Sequence, residues 1–382
     1  MTRVCVLSSV HIALDNRVFY REARSLQAAG YEVTVIAIHA RNETVDGIQV
    51  LGLPRRPRWQ RPASWWMLLR KALASRADVF HFHDPELLML TPWLRLLAGR
   101  PTIYDVHESY PEFIRLKEYL PGWLRPALVW LVRWLEPALA RLQSGLIFSD
   151  DQIAAAFAHV SRPKTTLFNY PGRDFIRDGL AATQAAGAKQ PIVLYLGGME
   201  PNRGAKLVLN AFTRVLAERP DARLWLVGHF APPELEGDMR GQAEALGISH
   251  ALEMTGRVPF ERIGEYLSQA MIGWISWEAA PKNQKNVPTK LFEYMAYGLP
   301  VVSSDLPSTR PYVRQGRSGC LAPAGDPAAH AAAILSLMND PAGAQAMGRL
   351  GLQLVASEYS WEQMEPKLLK LYREVLATEM GG

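Results

Sequence analysis

The chain has 382 residues, of which 48% are hydrophobic and 21% are charged. This composition is typical of a globular protein with two domains of about 150 to 200 residues each. The net charge of +5 is mild and by itself indicates no class of partner. The cysteines, Cys5 and Cys320, lie in apolar runs far apart in sequence, which favours reduced core thiols and excludes a zinc-finger site.

No apolar run in the sequence reaches the ~18 residues that a membrane-spanning helix needs. The first residues, "MTRVCVLSSV", lack the longer hydrophobic region and the cleavage site of a secretory signal. We therefore expect a cytoplasmic protein.

Short β-branched runs alternate with helical patterns along the chain, which is typical of α/β folds. In the first half we predict parallel strands and intervening helices, with the strands over 4–9, 33–38, 79–84, 102–107 and 145–150, and the helices over 18–29, 64–75, 86–98 and 123–142. The pattern restarts near residue 191, with strands predicted over 192–198, 223–228, 252–256, 271–277 and 300–304. The polar, alanine-rich stretch 178–190 is predicted to be a surface linker between two Rossmann-like halves.

Polar residues follow four of these strands directly. "HDPELL" follows "VFHF", "VHESYPE" follows "TIYD", "MEPNRGAK" follows "LYLGG", and a polar stretch follows "WISW". Because open α/β sheets bind ligands at the carboxyl ends of their strands, these segments are candidate binding loops. No "GxGxxG" follows the first strand, where "SSVHIALDNR" stands instead, which disfavours a dinucleotide oxidoreductase.

Four separated motifs, in order over nearly the whole chain, resemble glycosyltransferase family 4. They are "DNRVFYREARSLQAAGYEVTVIA", "YLGGMEPNRGAKLVLNAF", "LFEYMAYGLPVVSSD" and "GRSGCLAPAGDP". The resemblance implies the α/β GT-B fold, in which two Rossmann-like domains face each other across a cleft. We place an N-terminal acceptor-binding domain at 1–180 and a C-terminal nucleotide-sugar-binding domain at 191–358. A helix within 359–382 is expected to pack back towards the N-terminal domain.

The stretch "NVPTKLFEYMA" contains a helix that, by the resemblance, points its N-terminus at the donor diphosphate. Glu293 matches the family residue that binds the ribose hydroxyls, and Lys290 adds a full positive charge in the first turn. A helix N-terminus suits phosphate because it offers free N–H groups and a partial positive charge. Thr289 is a possible N-cap and Pro288 a possible first helical residue. The alternative is that Lys290 and Glu293 merely face solvent on an amphipathic helix.

The loop "GGMEPNRGAK" is predicted to be a second phosphate-binding element. Gly197 and Gly198 allow a close backbone approach, and Arg203 can make two hydrogen bonds to one phosphate. Family members commonly have arginine followed by lysine here, whereas this chain has Gly198 and Arg203 at those positions. One phosphate-binding cation is therefore missing, and Lys290 is a possible replacement. A glycine pair by itself more often marks a turn.

Lys285 is a second departure from the family, because it stands where the family has the first of two glutamates separated by seven residues. The segment 286–294 resembles the "N-x-P-x-K-x-x-E-Y" branch of the family, so the departure need not remove activity. Candidates to hold the donor sugar instead are Glu278, Asn283 and the backbone amides of 284–288. The segment "TGRVPFERI" is expected to line the base pocket, with Arg257 and Val258 among the donor-binding residues.

The N-terminal half contains the candidate residues for chemistry and for the acceptor. His107 matches a family histidine that touches the donor sugar and stabilises developing charge, although a lone histidine is more often structural. With it, Arg203 and Lys290 complete the expected catalytic set. On the acceptor side we place Asn16, His83, Asp84, Asp105 and Glu108, with the alternative that Asp105 and Glu108 orient the ring of His107. Glu86 belongs with His83 and Asp84, and the alternative for these three is that they only cap the following helix. No spacing of His, Asp and Glu predicts a metal site, and no cofactor is expected.

The stretch 54–76 contains seven basic residues, three tryptophans and no acid, which favours a membrane-surface element. The residues expected to contact the membrane are Arg55, Arg56, Arg58, Trp59, Arg61, Trp65, Trp66, Arg70 and Lys71. A predicted helix over 123–142 places Trp123, Trp130 and Trp134 on one face. The alternative is that these tryptophans are core and the arginines a solvated or nucleic-acid-binding surface.

The resemblance implies a retaining enzyme that moves a sugar from a nucleotide-diphosphate sugar to a glycan or lipid-linked acceptor. We expect it to work at the cytoplasmic face of an anionic membrane, in surface polysaccharide or glycoconjugate synthesis, with no nucleic acid as partner. Two alternatives remain open from the sequence: a non-catalytic sugar-nucleotide-binding subunit and a GT-B nucleotide-sugar 2-epimerase.

Overall fold

A computed structural model describes residues 1–57, 60–115, 120–185, 189–313 and 317–380. The chain divides into two compact units. Unit 1 contains residues 1–169 and the segment from Trp361 onward, and unit 2 contains residues 170–360. In each unit, helices flank one predominantly parallel sheet, which is the α/β architecture that the alternating pattern predicts.

Unit 1 contains an eight-stranded sheet. Its strands are β1 Arg3–Ile12, β2 Glu32–Ile38, β3 Glu43–Val45, β4 Ile48–Leu53, β5 Val79–Phe82, β6 Thr102–Val106, β7 Gly145–Phe148 and β8 Lys164–Thr166. Their spatial order is β3-β4-β2-β1-β5-β6-β7-β8, and only the β3–β4 pair is antiparallel among the described residues. The predicted strands are all present. The outer strands β3, β4 and β8 were not predicted, because three-residue strands show no alternation and Gly52 interrupts β4.

The helices of unit 1 that precede residue 170 cover this sheet. They are α1 Arg24–Ala28, α2 Arg61–Ala74, α3 Thr91–Ala98, α4 Tyr110–Arg115, α5 Leu124–Ala140 and α6 Asp151–Ala156. The helix predicted over 18–29 begins as π-helical turns over Asn16–Ala23 before it continues as α1. The helix predicted over 86–98 likewise begins with a 3₁₀ segment, Pro85–Leu90. π-helical turns are uncommon and occur frequently at functional sites.

Unit 2 contains a six-stranded sheet in the order β11-β10-β9-β12-β13-β14, with every neighbouring pair parallel. The strands are β9 Ile192–Leu196, β10 Arg223–Val227, β11 Leu252–Gly256, β12 Ile272–Ile275, β13 Val301–Ser304 and β14 Gly319–Ala322. The helices are α7 Arg173–Ala185, α8 Ala205–Glu218, α9 Glu234–Ala245, α10 Ile263–Gln269, α11 Pro281–Lys285, α12 Thr289–Ala296, α13 Pro327–Asn339 and α14 Pro341–Ser357.

The predicted linker over 178–190 is wrong for its first part, because residues 178–185 belong to α7. Alanine has the highest helix propensity of all residues, so an alanine-rich polar stretch can continue a helix. The helix packs closely on unit 2 at Gly179, where any side chain would overlap the carbonyl oxygen of Ala296. Thr183 also bonds the carbonyl of Tyr297 at 3.1 Å.

The chain returns to unit 1 as α15 Glu365–Met380, which packs on β7 and β8. Val375 lies so close to Gly145 of β7 that a side chain at that glycine would overlap it. The hydroxyl of Tyr372 lies 2.9 Å from Nδ1 of the buried His81 in β5. The last helix thus completes the core of the first unit.

Candidate active site

Five polar side chains meet beyond the carboxyl ends of β1, β5 and β6, which are neighbours in the sheet of unit 1. We call them the unit 1 cluster: Arg17, Glu22, His83, Asp105 and His107. Arg17 and Glu22 come from the π-helical turns after β1. His83 follows β5, Asp105 lies near the end of β6, and His107 follows β6. Because the strands are parallel, their carboxyl ends lie at one edge and bring these distant residues together.

An ion pair between Arg17 and Asp105 lies at the centre of the unit 1 cluster. Nε and Nη2 of Arg17 donate to the two carboxylate oxygens of Asp105 at 2.7 and 3.0 Å. Burial by itself raises the pKa of Asp105, but Arg17, His107 and His83 together outweigh burial and hold that pKa well below its usual range. Arg17 also donates to the carbonyl of Leu167 and to Oδ1 of Asn169. The pair is therefore ionised and held from several sides.

Asp105 fixes the ring of His107, as the sequence suggested it could. Nε2 of His107 lies 3.2 Å from Oδ2 of Asp105 and 3.0 Å from Nδ1 of His83. Burial lowers the pKa of His83 to about 4, despite its hydrogen bond to Asp105. His83 is therefore neutral near pH 7, whereas the His107 side chain is 14% exposed and reaches the surface.

Glu22 is buried on the other side of Arg17. Its Oε1 lies 3.0 Å from Nε of Arg17, and its Oε2 lies 3.6 Å from Nε2 of His81 and 3.8 Å from Nε2 of His83. Burial, and then the nearby charge of Asp105, raise the pKa of Glu22 well above its usual value. A protonated Glu22 leaves the Arg17–Asp105 pair electrically balanced in the core.

Glu22, His81, His83 and Asp105 are residue types that bind metals, and each offers a ligand atom within 4.8 Å of the others. Arg17, however, contacts both carboxylates at 2.7 to 3.0 Å, and its charge opposes a divalent cation. We assign no metal to this cluster, and the expectation of a reaction without metal stays a prediction. Sequence spacing did not indicate the cluster, because its members are far apart along the chain.

Asp84 makes hydrogen bonds to β1, and its expected place on the acceptor side stays a prediction. Its Oδ2 accepts hydrogen bonds from the hydroxyl of Ser8 and the amide of Ser9, at 2.8 and 2.6 Å. It makes no side-chain cap to the 3₁₀ segment that follows it. Glu86 also accepts from the Ser9 hydroxyl and from Nε1 of Trp65. Both acids therefore hold the end of β1, and the proposed capping role is wrong for Asp84.

The remaining acceptor-side candidates lie next to the unit 1 cluster in sequence. Asn16 is the half-buried first residue of the π-helical turns, after Asp15 caps them with its carboxylate. Glu108 is half-buried and directly follows His107.

Unit 2 holds a second group of candidate residues at the carboxyl ends of its central strands, β9 and β12. We call Tyr195, Gly197, Arg203, Lys290 and Glu293 the unit 2 cluster. Tyr195 and Gly197 lie at the end of β9, and Lys290 and Glu293 lie on α12. The sequence predicted all of these except Tyr195 as donor-binding residues.

Lys290 is 6% exposed, which contradicts the alternative that it faces solvent. Its Nζ lies 3.6 Å from the centre of the Tyr195 ring and has no hydrogen-bond partner among the described residues. Burial, and then the charge of Arg203, lower the pKa of Lys290 well below its usual value, while Glu293 and Glu200 act in the opposite direction. Unpaired buried ammonium groups are costly, so this position calls for an anion.

The glycine loop lies beside this ammonium group. Gly197 has φ +96°, and a side-chain carbon placed there would lie 3.5 Å from Nζ of Lys290. Arg203 donates to the carbonyl of Gly198 at 3.1 Å and pairs with Glu200 at 3.1 Å. The loop therefore places one arginine and an open glycine surface next to Lys290.

The helix α12 begins one residue later than expected. Thr289 is its exposed first residue and Pro288 occupies the N-cap position, so the two roles predicted for them are reversed. Proline has no side-chain acceptor, and no side chain caps α12 in the described part of the chain. The first-turn N–H groups, other than that of Leu291, which bonds Pro288, are thus available to a ligand.

Asn283, one of the candidates to hold the donor sugar, lies in the segment before α12. Asn283 donates to the carbonyls of Asn202 and Glu278 at 2.8 and 2.9 Å, so its amide nitrogen is occupied by structure. By contrast, Oδ1 of Asn286 and Oδ1 of Asn202 are buried without a hydrogen-bond partner among the described residues. Sequence reasoning missed these two asparagines. Arg257 and Val258 follow β11 at the edge of the same sheet, exposed and half-buried respectively.

The stretch predicted to contact a membrane is divided between two environments. Arg61 and Trp65 on α2 both contact Glu86, and Lys71 donates to the carbonyl of Gly52 at 2.9 Å. Trp66 is exposed. Arg55 and Arg70 are also exposed, Arg56 is half-buried, and Arg58 and Trp59 lie outside the described residues.

The tryptophans near α5 are not core residues. Trp123 is 81% exposed, and Trp130 and Trp134 are each 65% exposed. Leu131 and Leu135 are exposed beside them, while α5 buries its opposite face. Large apolar side chains rarely form such a surface on monomeric proteins without a binding role. No described helix combines the length and apolar character needed to span a bilayer.

Two sequence families match separate parts of the chain. The family described as Glycosyl transferase 4-like domain matches residues 16–170, and Glycosyl transferases group 1 matches residues 190–340. Among curated proteins, the phosphatidyl-myo-inositol mannosyltransferase of Mycobacterium leprae is 26% identical over 301 residues. That alignment covers 78% of this chain and 74% of the relative.

Solved structures share the fold over almost the whole chain. A sucrose-phosphate synthase from Thermosynechococcus elongatus superposes with a TM-score of 0.78 at 18% identity, covering 99% of this chain and 100% of that one. The Anabaena protein HepE in complex with UDP-glucose gives 0.73 at 14% identity, covering 98% and 100%. At these identities the likeness concerns the fold alone.

Proposed function

This chain is a glycosyltransferase of the GT4 type with the GT-B fold, and we propose that it transfers a sugar from a nucleotide-diphosphate sugar to a glycan or lipid-linked acceptor. The predicted fold class and enzyme class are confirmed. Retention of the anomeric configuration belongs to the proposal and rests on the resemblance to the family as a whole. Membership of the branch with "N-x-P-x-K-x-x-E-Y" is also proposed and rests on the segment 286–294.

Lys290 is the main support for the proposal that a nucleotide-diphosphate sugar is the donor. Its ammonium group is buried, lacks a hydrogen-bond acceptor among the described residues, and lies beside Gly197, where the backbone leaves room. The diphosphate of a nucleotide sugar supplies the missing negative charge. Lys290 lies in the first turn of α12, and the N-terminus of that helix, which no side chain caps in the described part of the chain, offers N–H groups to the same diphosphate. Arg203 adds a second cation next to the diphosphate, and Glu293 accepts hydrogen bonds from the ribose hydroxyls.

Stabilisation of the leaving diphosphate is the main catalytic task, because its charge grows as the glycosidic bond breaks. Lys290, Arg203 and the α12 N-terminus provide positive charge for it without a metal ion. We therefore expect full activity in the presence of a chelator.

His107 positions the donor sugar near the reaction centre. Nε2 of this ring lies 3.2 Å from Oδ2 of Asp105; in the tautomer with a proton on Nε2, Asp105 accepts that N–H and Nδ1 is the ring nitrogen for a substrate hydroxyl. The ion pair with Arg17 keeps Asp105 charged, so the ring keeps one tautomer and one orientation. Asn16, Glu108 and the neighbouring acids then line the acceptor side.

The acceptor is proposed to be a lipid-linked glycan at the cytoplasmic face of the membrane, in surface polysaccharide or glycoconjugate synthesis. The exposed tryptophans Trp123, Trp130 and Trp134 support membrane attachment, because indole rings favour the interface between lipid and water. The Mycobacterium leprae relative is named for a phosphatidyl-inositol acceptor, which agrees with a lipid substrate.

A panel of nucleotides and nucleotide sugars tests the donor assignment by thermal shift. A ligand at 100 times its dissociation constant adds ~2.7 kcal/mol to the free energy of unfolding. Glu293→Ala should weaken donor binding by ~1.5 to 3 kcal/mol, the range for a hydrogen bond to a charged group. The control is Glu244→Ala, at an exposed position of α9, which should leave donor binding unchanged. Equal donor affinity of Glu293→Ala and wild type would refute the ribose contact.

Turnover then tests the chemistry with the donor found. His107→Ala should lower kcat by about 10² with little change in KM, since its contact strengthens in the transition state. An unchanged kcat would mean that His107 is structural. Sugar product formed without any acceptor would indicate a 2-epimerase and overturn the transfer reaction.

A further inference from the structure

His83 is fully buried next to His107, which reaches the surface. Nδ1 of His83 lies 3.0 Å from Nε2 of His107, and both nitrogens lie 3.2 Å from Oδ2 of Asp105. A neutral imidazole has one N–H donor and one acceptor nitrogen, and two donors or two acceptors that face each other repel. The short contact between the two rings therefore contains one proton, and its position fixes the tautomer of both histidines.

Glu22 faces the other nitrogen of His83. Its Oε2 lies 3.8 Å from Nε2 of His83 and 3.6 Å from Nε2 of His81, and none of these three atoms has a hydrogen-bond partner among the described residues. All three side chains are 0% exposed, and in such a buried environment partial charges interact more strongly than in water. The tautomer of His83 therefore depends on whether Oε2 carries a proton.

The acid proton of Glu22 belongs on Oε2. Burial and the nearby charge of Asp105 raise the pKa of Glu22 well above its usual value, and a protonated carboxyl group has one hydroxyl oxygen and one carbonyl oxygen. Oε1 lies 3.0 Å from Nε of Arg17, whose positive charge favours the carbonyl oxygen at that position. The hydroxyl on Oε2 then attracts the lone pair on Nε2 of His83.

The single proton of His83 is consequently on Nδ1. Burial lowers the pKa of His83 to about 4, so the ring is neutral near pH 7 and has no second proton. Its Nδ1–H points into the contact with Asp105 and His107, which leaves Nε2 of His107 as an acceptor. A neutral His107 then has its N–H on Nδ1, the ring nitrogen proposed for a substrate hydroxyl.

We propose that His83 is a positioning residue that makes His107 a hydrogen-bond donor to the substrate. The inference rests on the proposed role of His107 in sugar transfer and adds the direction of its hydrogen bond. Asp105 alone would favour a proton on Nε2 of His107, whereas His83 supplies its own N–H to the same carboxylate oxygen. An N–H donor on Nδ1 stabilises a substrate oxygen that gains negative charge during transfer, and it has no lone pair with which to remove a proton from the acceptor.

The ¹⁵N NMR spectrum of histidine-labelled protein tests the tautomer directly, because protonated and unprotonated ring nitrogens have well-separated chemical shifts. The signals of His107 are assigned by their loss in His107→Ala. The spectrum is recorded without substrate at about pH 8, above the usual histidine pKa of about 6.5. Wild-type protein should have the proton of His107 on Nδ1, and a proton on Nε2 would overturn the proposal.

Two variants distinguish positioning from a structural role. His83→Leu removes both ring nitrogens, so the proton of His107 should move to Nε2, where Asp105 accepts it. Its kcat should fall about tenfold with little change in KM, less than the ~10² expected for loss of the whole His107 ring. His83→Asn keeps an N–H near the position of Nδ1, so it should keep the tautomer of His107 and most of the wild-type kcat.

The matched control is His330→Leu, at another fully buried histidine with a pKa of about 4, which lies in unit 2. It should change neither the tautomer of His107 nor kcat. If His83→Leu has the tautomer and kcat of wild type, His83 does not position His107. If His83→Asn keeps the tautomer but loses as much kcat as His83→Leu, the tautomer does not control turnover and the proposal is wrong.

The two arms also separate this inference from the proposed function. If His83→Leu does not fold, the spectra of wild type and His83→Asn still decide the tautomer of His107. A protein without transferase turnover would refute the proposed function, whereas the substrate-free spectrum decides the contact between His83 and His107 in either case.

Discussion

Arg17 in unit 1 and Lys290 in unit 2 are both buried cations, 4% and 6% exposed, but their surroundings differ. Arg17 donates to two carboxylate oxygens of Asp105 and to two further oxygens of the chain. Lys290 has an aromatic ring at 3.6 Å and no hydrogen-bond acceptor among the described residues. One cation is satisfied by the protein, and the other is not.

This difference separates a residue that positions others from one that binds a ligand. A satisfied buried ion pair holds neighbouring groups in place, and breaking it leaves an uncompensated charge. An unsatisfied buried cation lowers the stability of the free protein, and a bound anion recovers that stability. The same substitution should therefore have opposite effects on folding in the two units.

Replacing Arg17 with Met should give the largest loss. Asp105 is left buried without its partner, and such losses cost about 3 to 5 kcal/mol of the free energy of unfolding. Urea unfolding measures the change, with Arg240→Met as a control at an exposed ion pair, where about 0.5 kcal/mol or less is expected. A loss for Arg17→Met no larger than that of the control would show that the pair does not stabilise unit 1.

Acidification should destabilise the protein through His83. Burial lowers its pKa to about 4 in the folded chain, whereas an unfolded histidine has a pKa of about 6.5. Between these values the unfolded chain binds the additional proton, so the free energy of unfolding falls as the pH drops, by about 3 kcal/mol once pH 4 is passed.

His330 in unit 2 has the same lowered pKa, about 4, because it too is buried. His83→Gln and His330→Gln should each remove about half of the combined loss between pH 6.5 and 4, as followed by unfolding at several pH values. An acid response of His83→Gln identical to that of wild type would mean that His83 does not titrate in this window.

Replacing Lys290 with Met should weaken donor binding by ~1.5 to 3 kcal/mol, since a charged partner of the diphosphate is lost. The free protein should be as stable as wild type or gain about 0.5 to 2 kcal/mol, as is common when a costly functional group is removed. Thermal unfolding with and without donor measures both quantities.

The sign of the pH dependence gives a second check on Lys290. Burial lowers its pKa in the folded chain, so the unfolded chain binds more protons below the unfolded pKa of about 10.4. The free energy of unfolding of wild type should therefore rise with pH in this window, and Lys290→Met should lose that rise. A destabilised Lys290→Met protein would contradict the comparison with Arg17.

Replacing Gly197 with Ala should destabilise the protein less than replacing Arg17 with Met. Its φ of +96° costs an L-residue about 1 to 2 kcal/mol, and the methyl group meets Lys290 at an ordinary contact distance of 3.5 Å. The methyl occupies space beside Nζ, so donor binding should fall as well. Gly99→Ala, at φ +62° with nothing within 4 Å, is the control that shares the backbone cost only. If the two variants bind the donor with equal affinity, Gly197 is not part of the donor site.

The sequence predicted the unit 2 cluster better than the unit 1 cluster. Lys290 and Glu293 lie within one short helix, and the strand that precedes Gly197 is a clear apolar run, so local patterns were sufficient. Arg17 and Asp105 are 88 residues apart, and only the order of the parallel strands brings them together. For the same reason Glu22 and His81 were not identified.

Two other differences have a common physical origin. Alanine-rich sequence is compatible with both a linker and a helix, and packing at Gly179 decided for the helix α7. Tryptophans at helical spacing are compatible with both a core and an interface, and Trp130 turned out to be exposed. In both places the local pattern gives the periodicity, while the neighbouring elements determine burial.

The return of α15 to unit 1 has a consequence for how the chain folds during synthesis. Tyr372 bonds His81, and Trp361 bonds Ser25 at 2.8 Å across 336 positions of sequence. Unit 1 therefore cannot close its core until α15 has been made, and all of unit 2 is synthesised before α15. Unit 1 begins first along the chain but completes its fold last. During synthesis it therefore exposes apolar surface for longer than unit 2 and depends more on protection from aggregation.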